Sequence, residues 1–239
     1  MSLSFDPSNV ADQLQRTFSG FTDDFVVDAK EIILNTCKFF PLHEIGVSFN
    51  GGKDCVVVVE LIREVLGLEA LKQVIFFFLE NPESEFLEME QFRNKYFKER
   101  LPGITLHKID SRDGMLQGLW RVKRQFGIKA SFMGTRRDDL SQPPSFPWEP
   151  NTVEWPTMLR VYPILHWSYR NVWNYILSAN VPFCVLYSYG YTSLGDCRST
   201  YKNSKLLISG GEYAPAWMLQ TSEHEREGRE ESRGRIKRV

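Results

Sequence analysis

Apolar residues recur every three to four positions from residue 22 to 40, at Phe25, Val26, Ala29, Ile32, Ile33 and Cys37, and predict a helix with one buried face. Ile45 to Phe49 is a short β-prone run. It leads through Asn50-Gly51-Gly52-Lys53-Asp54 into a mostly apolar stretch from Cys55 to Leu66, a strand, glycine turn and helix in succession. Val74 to Leu79 is apolar on both faces and suits a strand buried in a parallel sheet. A helix follows over 84 to 98, with Phe86, Met89, Phe92 and Tyr96 on one face. Ile104 to Lys108 is a third strand, Met115 to Gln125 a helix, and Ala130 to Met133 a fourth strand ending at Gly134. This alternation predicts an α/β fold: an open, mostly parallel twisted sheet with helices on both faces, joined by right-handed crossovers.

Beyond Gly134 the periodicity breaks. Residues 138 to 157, rich in Pro, Trp, Ser and Asn, predict an irregular loop of a length that favours function. Ser168 is the expected N-cap of a helix from Tyr169 to Ala179, with Val172, Trp173, Ile176 and Leu177 as its apolar stripe and Pro182 as its stop. Thr221 to Val239 is dense in Glu and Arg and too polar to build a core. A single catalytic domain over 1–239 is expected, with a core at about 22–185 and an irregular C-terminal extension at about 186–239.

Composition narrows the function classes. Of 239 residues 42% are hydrophobic, enough for a substantial core, and 29 basic against 30 acidic residues give a net charge of −1. No global field recommends nucleic acid or an anionic membrane, so a phosphate ligand needs a local site. The longest apolar run, Val74 to Leu79, is far too short to span a bilayer. Met1 to Pro7 lacks the features of a signal peptide, and the cytoplasm is the expected compartment. The four cysteines, Cys37, Cys55, Cys184 and Cys197, form no Cys-x-x-Cys pair, which disfavours a zinc knuckle or a dithiol redox motif.

Chemistry concentrates at Ser48-Phe49-Asn50-Gly51-Gly52-Lys53-Asp54-Cys55. Between a strand and a helix, a glycine pair lets backbone N–H groups converge on an anion, the helix N-terminus adds partial positive charge, and Lys53 adds a full one. A carboxylate there, Asp54, orients the loop or meets a magnesium ion. The competing reading is an ordinary glycine turn into a helix. Met133-Gly134-Thr135-Arg136-Arg137-Asp138-Asp139 follows another strand, and guanidiniums beside carboxylates suit a polyphosphate with its metal; a solvated charged turn is the plainer alternative.

The spacing of a Walker loop is absent. The first motif resembles instead the Ser-Gly-Gly-x-Asp-Ser loop of the ATP pyrophosphatase group, with Asn50 and Cys55 in the two serine positions, and the form Phe-Asn-Gly-Gly-Lys-Asp-Cys resembles eukaryotic, yeast-type FAD synthetase. Three further stretches are similar to that family: Gly134 to Asp139; Trp155-Pro156 through Arg160 to Trp167; and Leu186-Tyr187-Ser188-Tyr189-Gly190-Tyr191-Thr192-Ser193-Leu194-Gly195. Pro215-Ala216-Trp217-Met218-Leu219 followed by Glu225-Arg226-Glu227-Gly228-Arg229 is similar to the family's ending. Leu140 stands where members often carry Pro, and Thr152 where an acid is common.

The resemblance implies an adenine nucleotide alpha hydrolase-like fold and an FMN adenylyltransferase, which makes FAD and pyrophosphate from ATP and FMN with Mg2+. It implies catalytic roles for Asn50, Lys53, Asp54, Arg136, Asp139, Arg226 and Arg229, with Asp54 and Asp139 toward the metal. ATP and its phosphates fall to residues 48 to 54, Gly134 and Arg136, with Phe77 and Phe78 bordering adenine and Asn81 or Glu83 meeting ribose or metal. Flavin falls to Thr152, Trp155, Arg160, Tyr191, Ser193, Leu194, Gly195, Arg226 and Arg229. By composition alone the tail is a solvated charge run, and Arg233 and Arg235 compete for its role. The expected partners are small molecules, with no nucleic acid and no membrane, and the expected state is a monomer or weak dimer. Two rivals stand beside this reading: a sulfur-handling ATP pyrophosphatase such as 3′-phosphoadenylyl sulfate reductase, which Cys197 keeps open, and a catalytically silent nucleotide- or flavin-binding module.

Overall fold

Six strands hydrogen-bond in the order β3-β2-β1-β4-β6-β5 in the computed structural model, which describes residues 5–229. They are β1 (Ile45–Ser48), β2 (Ile75–Glu80), β3 (Leu106–Asp110), β4 (Ala130–Phe132), β5 (Trp148–Pro150) and β6 (Leu159–Val161). Every neighbouring pair is parallel except β5 with β6. The helices are α1 (Pro7–Thr17), α2 (Phe25–Phe39), α3 (Lys53–Leu71), α4 (Leu87–Arg100), α5 (Met115–Phe126) and α6 (Tyr169–Ser178). None of the described helices is long and apolar enough to cross a membrane.

Strand alternation divides the core in two. Phe76 and Phe77 are both fully buried, yet Phe76 joins the large cluster shared with α2, α3, α4 and α6, while Phe77 joins Ile109, Val122, Ile128 and Met158 toward α5. Helices therefore cover both faces, as the apolar character of β2 requires. In α6, the Ser168 hydroxyl accepts the Asn171 N–H at 3.1 Å and starts the helix as expected. Its buried Val172, Trp173 and Ile176 each contribute about 1.5–3 kcal/mol of apolar burial.

The expected start of the core at about residue 22 and two local expectations are corrected, since Val10, Ala11 and Leu14 belong to the core. Pro7–Thr17 is a helix, begun by the Asp6 carboxylate accepting from Ser8 N–H and followed by Pro at the first position. α3 continues past Leu66 to Leu71 because Gly67, at φ 74°, turns the chain between two helical segments. Residues 138–157 are not wholly irregular: β5 lies within them and pairs antiparallel with β6, extending the sheet at its edge.

The chain order fixes where a site can form. From β1 the sheet grows through β2 to β3 on one side and through β4 on the other, so the loops leaving the carboxyl ends of β1 and β4 part at the topological switch.

Candidate active site

The Asn50–Lys53 turn sits at that switch point. Gly51 adopts φ +86°, a conformation L side chains rarely take, and Asn50 Oδ1 accepts the Gly52 N–H at 2.8 Å. The Tyr187 hydroxyl accepts the Lys53 N–H at 3.1 Å. Two amides expected to face an anion thus already have partners. The first bond of the helical ladder runs from Val56 N–H to the Gly52 carbonyl, so the Asp54 and Cys55 amides belong to the first turn, where the ladder supplies no acceptor. The loop after β4 packs directly on this turn: a Cβ at Gly134 would stand 2.7 Å from Cys55 N and 2.8 Å from the Asp54 carbonyl carbon. Only glycine permits this approach.

Two buried cations lie beneath the turn. Lys53 Nζ meets Asp54 Oδ2 at 2.8 Å and Glu225 Oε1 at 2.5 Å. Arg136 meets Asp54 Oδ1 at 2.8 Å through Nε and Glu225 Oε2 at 2.6 Å through Nη2. Burial opposes the charge on each, but the surrounding carboxylates outweigh it, with Asp54 foremost and Glu225 next, and raise both above their ordinary values. Asp139 accepts the Arg136 backbone N–H at 2.9 Å and pairs with Arg226 at 2.7 Å. Burial pulls its carboxyl upward, yet Arg136 and the hydrogen bonds outweigh that and leave it below the ordinary aspartate value.

Lys53, Asp54, Asp139, Glu225 and Arg226 line a cleft of about 540 Å³. Phe78, Leu79, Phe86, Met89, Met115 and Leu119 form its apolar lining. Such a mixed lining suits a ligand with a polyphosphate part and a flat, apolar part. Ser193, Leu194, Gly195 and Arg229 border the cleft from the C-terminal side, and Asn81 lines it with its Oδ1 buried and unpaired by any hydrogen bond. Phe78 carries the Arg93 guanidinium over its ring at 3.9 Å.

The structure brings together Ser48, Asn50, Gly52, Lys53, Asp54, Phe78, Asn81, Gly134, Asp139, Ser193, Leu194, Gly195, Arg226 and Arg229 on this cleft, with Gly51 and Arg136 directly behind. It does not bring Thr152, Trp155 or Arg160. The register pairs Ile45 with Ala130, Ala130 with Leu159, and Leu159 with Pro150. The 151–158 connection therefore lies at the amino ends of the parallel strands, across the sheet from the phosphate turn, and Arg160 pairs there with Glu149 at 2.9 Å. Phe77 is also corrected, since alternation turns it to the α5 face. Phe49 is a core residue stacked on Tyr96 at 5.3 Å, and Tyr191 packs edge-on against Phe86 at 5.6 Å, outside the cleft lining.

Sequence reasoning missed Glu225, Tyr187 and Arg93. Arg93 is 1% exposed, donates to the Asn50 carbonyl at 3.1 Å and pairs with Glu85, tying the turn to the loop after β2. A buried cation at the middle of a helix with a charged outer face leaves no local signal. The solvated reading of the tail is corrected at Glu225, which is 6% exposed and whose carbonyl accepts from Thr192 Oγ1 at 2.6 Å, while residues 221–223 and Arg226 are exposed. Arg233 and Arg235 lie outside the described residues.

No group of three or more His, Cys, Asp or Glu among the described residues forms a self-sufficient metal site. Asp54 and Asp139 nonetheless fit magnesium, which keeps several waters and takes one or two carboxylates beside substrate phosphates. The cysteines offer less. Cys197 is not on the cleft lining, and Cys55, which is, has its thiol pushed up to about 11 by burial.

Residues 44–202 match the phosphoadenosine phosphosulfate reductase domain family. A probable FAD synthase of Schizosaccharomyces pombe is 34% identical over 194 residues, covering 78% of this chain and 72% of the relative. A probable FAD synthase of Caenorhabditis elegans is 32% identical over 83% of this chain, which spans only 39% of that longer relative. The crystal structure of Candida glabrata FMN adenylyltransferase superposes with a TM-score of 0.77 over 94% of this chain and 96% of that one, at 23% identity, a likeness of fold.

Proposed function

This chain belongs to the phosphoadenosine phosphosulfate reductase domain family and to the FAD synthases, and on that premise we propose that it transfers the adenylyl group of ATP to the phosphate of FMN, yielding FAD and pyrophosphate. The observation that carries the reading is the convergence of three distant segments on one cleft: the turn after β1, the loop after β4, and the Glu225–Arg229 tail.

In this reaction an oxygen of the FMN phosphate attacks the α phosphorus of ATP, and the bond to the oxygen bridging the β phosphate breaks. The nucleophile arrives already ionised, so no side chain has to act as a general base. The chain's task is to hold two polyanions in line and to neutralise their charge. The α3 N-terminus, Lys53 and Arg136 face the nucleotide phosphates, while Arg226 and Arg229 face the FMN phosphate. The isoalloxazine and adenine rings take the apolar lining of Phe78, Phe86 and Met115, and Asn81 presents an unpaired acceptor to ribose or base.

Asp54 and Asp139 would hold magnesium, which would supply further charge neutralisation for the transferring and leaving phosphates. The carboxylates would keep Arg136 oriented toward the nucleotide phosphates and Arg226 toward the FMN phosphate. The sulfur-handling alternative requires a thiolate at the reacting end, which the protonated Cys55 and the more distant Cys197 do not favour.

Incubation of the purified chain with ATP, magnesium and FMN, followed by chromatography, tests the proposal. FAD is the expected product. FMN recovered unchanged, with catalysis of sulfite release from 3′-phosphoadenylyl sulfate, would replace it with the reductase reading.

A further inference from the structure

The Glu225 carboxylate bridges the two buried cations of the cleft. Its two oxygens reach two different cations, Lys53 Nζ at 2.5 Å and Arg136 Nη2 at 2.6 Å, from 172 and 89 residues away in sequence. Both cations are almost wholly buried, Lys53 at 2% and Arg136 at 0% exposure, and their charged ends are occupied by Glu225 and Asp54. A carboxylate that bridges two buried cations has the charge and span of a phosphate edge. Removing such a partner without a replacement leaves buried positive charge uncompensated, a strongly unfavourable state.

The backbone around Glu225 is held separately from its side chain. Its carbonyl accepts from Thr192 Oγ1 at 2.6 Å, and Asn203 Nδ2 donates to Thr192 Oγ1 at 2.9 Å and to the His224 carbonyl at 2.7 Å. The carboxylate can therefore leave by side-chain rotation while the tail stays anchored. The adjacent residue, Arg226, is 47% exposed at the side chain and pairs with Asp139, whose other oxygen fixes the Arg136 backbone. A change at Glu225 is thus transmitted directly to both sides of the proposed phosphate site.

We propose that Glu225 is a positioning residue: a resident anion that holds Lys53 and Arg136 together and competes with substrate phosphate for them, swinging out as phosphate enters. This rests on the phosphate-binding role of the cleft proposed above. Competition of this kind lowers apparent affinity by the fraction of molecules in which the carboxylate is already withdrawn.

The test is calorimetric binding of inorganic pyrophosphate to the full chain, comparing wild type with Glu225→Gln, Glu225→Asp and Lys53→Gln. Glu225→Gln keeps the shape but removes the charge, and pyrophosphate should bind at least about fivefold more tightly, as expected when the competent state is a minor population. Glu225→Asp keeps the charge one methylene short and should bind more tightly by a smaller factor. Thermal stability of Glu225→Gln should be lower than wild type alone and equal to it at saturating pyrophosphate, which a purely structural role would not produce. If Lys53→Gln weakens binding while neither Glu225 variant strengthens it, the competition is refuted and the phosphate site stands. If Lys53→Gln leaves binding unchanged, the phosphate-site reading fails, and this proposal fails with it. Should Glu225→Gln not fold, Glu225→Asp decides by the same comparison.

Discussion

The guanidinium of Arg229 lies against Gly195 so closely that a Cβ at residue 195 would overlap it. Both residues border the cleft, and glycine is what lets the tail close over the loop that carries Ser193 and Leu194. The obstructing atoms belong to the far end of a flexible side chain, so Gly195→Ala should displace Arg229 and leave the fold intact. The expected outcome is a fall in kcat of about tenfold, the scale of one misplaced charge-assisted contact, with a melting temperature within about 2 °C of wild type. A large loss of stability with unchanged kcat would place the importance of Gly195 in packing.

The tail arginines should act as a pair on the proposed FMN phosphate. Arg226→Ala with Arg229→Ala is expected to lower turnover at least about a hundredfold, as for loss of two charged contacts that strengthen in the transition state, with little change in unfolding midpoint. Steady-state kinetics beside chemical denaturation checks both halves. A double variant with wild-type turnover would return the segment to a solvated charge run.

Asp54→Asn and Asp139→Ala should each abolish measurable adenylyl transfer while leaving circular dichroism unchanged. Asp54 joins Lys53 to Arg136, and Asp139 holds the Arg136 backbone and Arg226, so each loss misdirects two cations as well as removing a magnesium partner. Titrating magnesium separates the roles. A shifted magnesium requirement marks a metal contact, whereas turnover lost at every magnesium concentration marks misplacement of the cations.

Far from the cleft, Glu60 is buried against Tyr96, Arg63 and Arg100, with Arg100 Nη2 at 2.7 Å. Burial pushes its carboxyl upward, but the hydrogen bonds from Arg100, Tyr96 and Arg63 outweigh this and leave it below the ordinary glutamate value of 4.5. Its folded pKa is thus lower than its unfolded one. The corresponding stability is fully present above about pH 4.5 and is lost as pH falls through the depressed folded value. Urea midpoints should therefore be insensitive to this group near neutrality and drop on acidification, and Glu60→Gln should flatten that part of the profile. An unchanged acid slope in the variant would assign it to other carboxylates.

Much of the architecture was legible because strand and helix periods differ so plainly between Ile45 and Phe132. The glycine turn and the two charged motifs were legible for a similar reason, being contiguous. What escaped reading depended on geometry that short segments do not encode. Phe76, Phe77 and Phe78 are chemically identical, and only the position of the helices decides that Phe77 faces α5 while Phe78 reaches the cleft. Three-residue strands such as β5 and β6 carry too little alternation to stand out, and Thr152 and Trp155, named for flavin by resemblance alone, lie on their connection at the amino ends of the parallel strands. Glu225 sits in a run of charge, and its burial follows from two cations far away in the chain.

The most direct measurement is a side-by-side incubation of the chain and ATP with FMN or with riboflavin at equal concentration, quantifying FAD and pyrophosphate together. Adenylyl transfer to a flavin phosphate predicts FAD and pyrophosphate in equal amounts from FMN, and neither from riboflavin, which lacks the attacking phosphate. Pyrophosphate released at the same rate with riboflavin, or without any FAD, would contradict it.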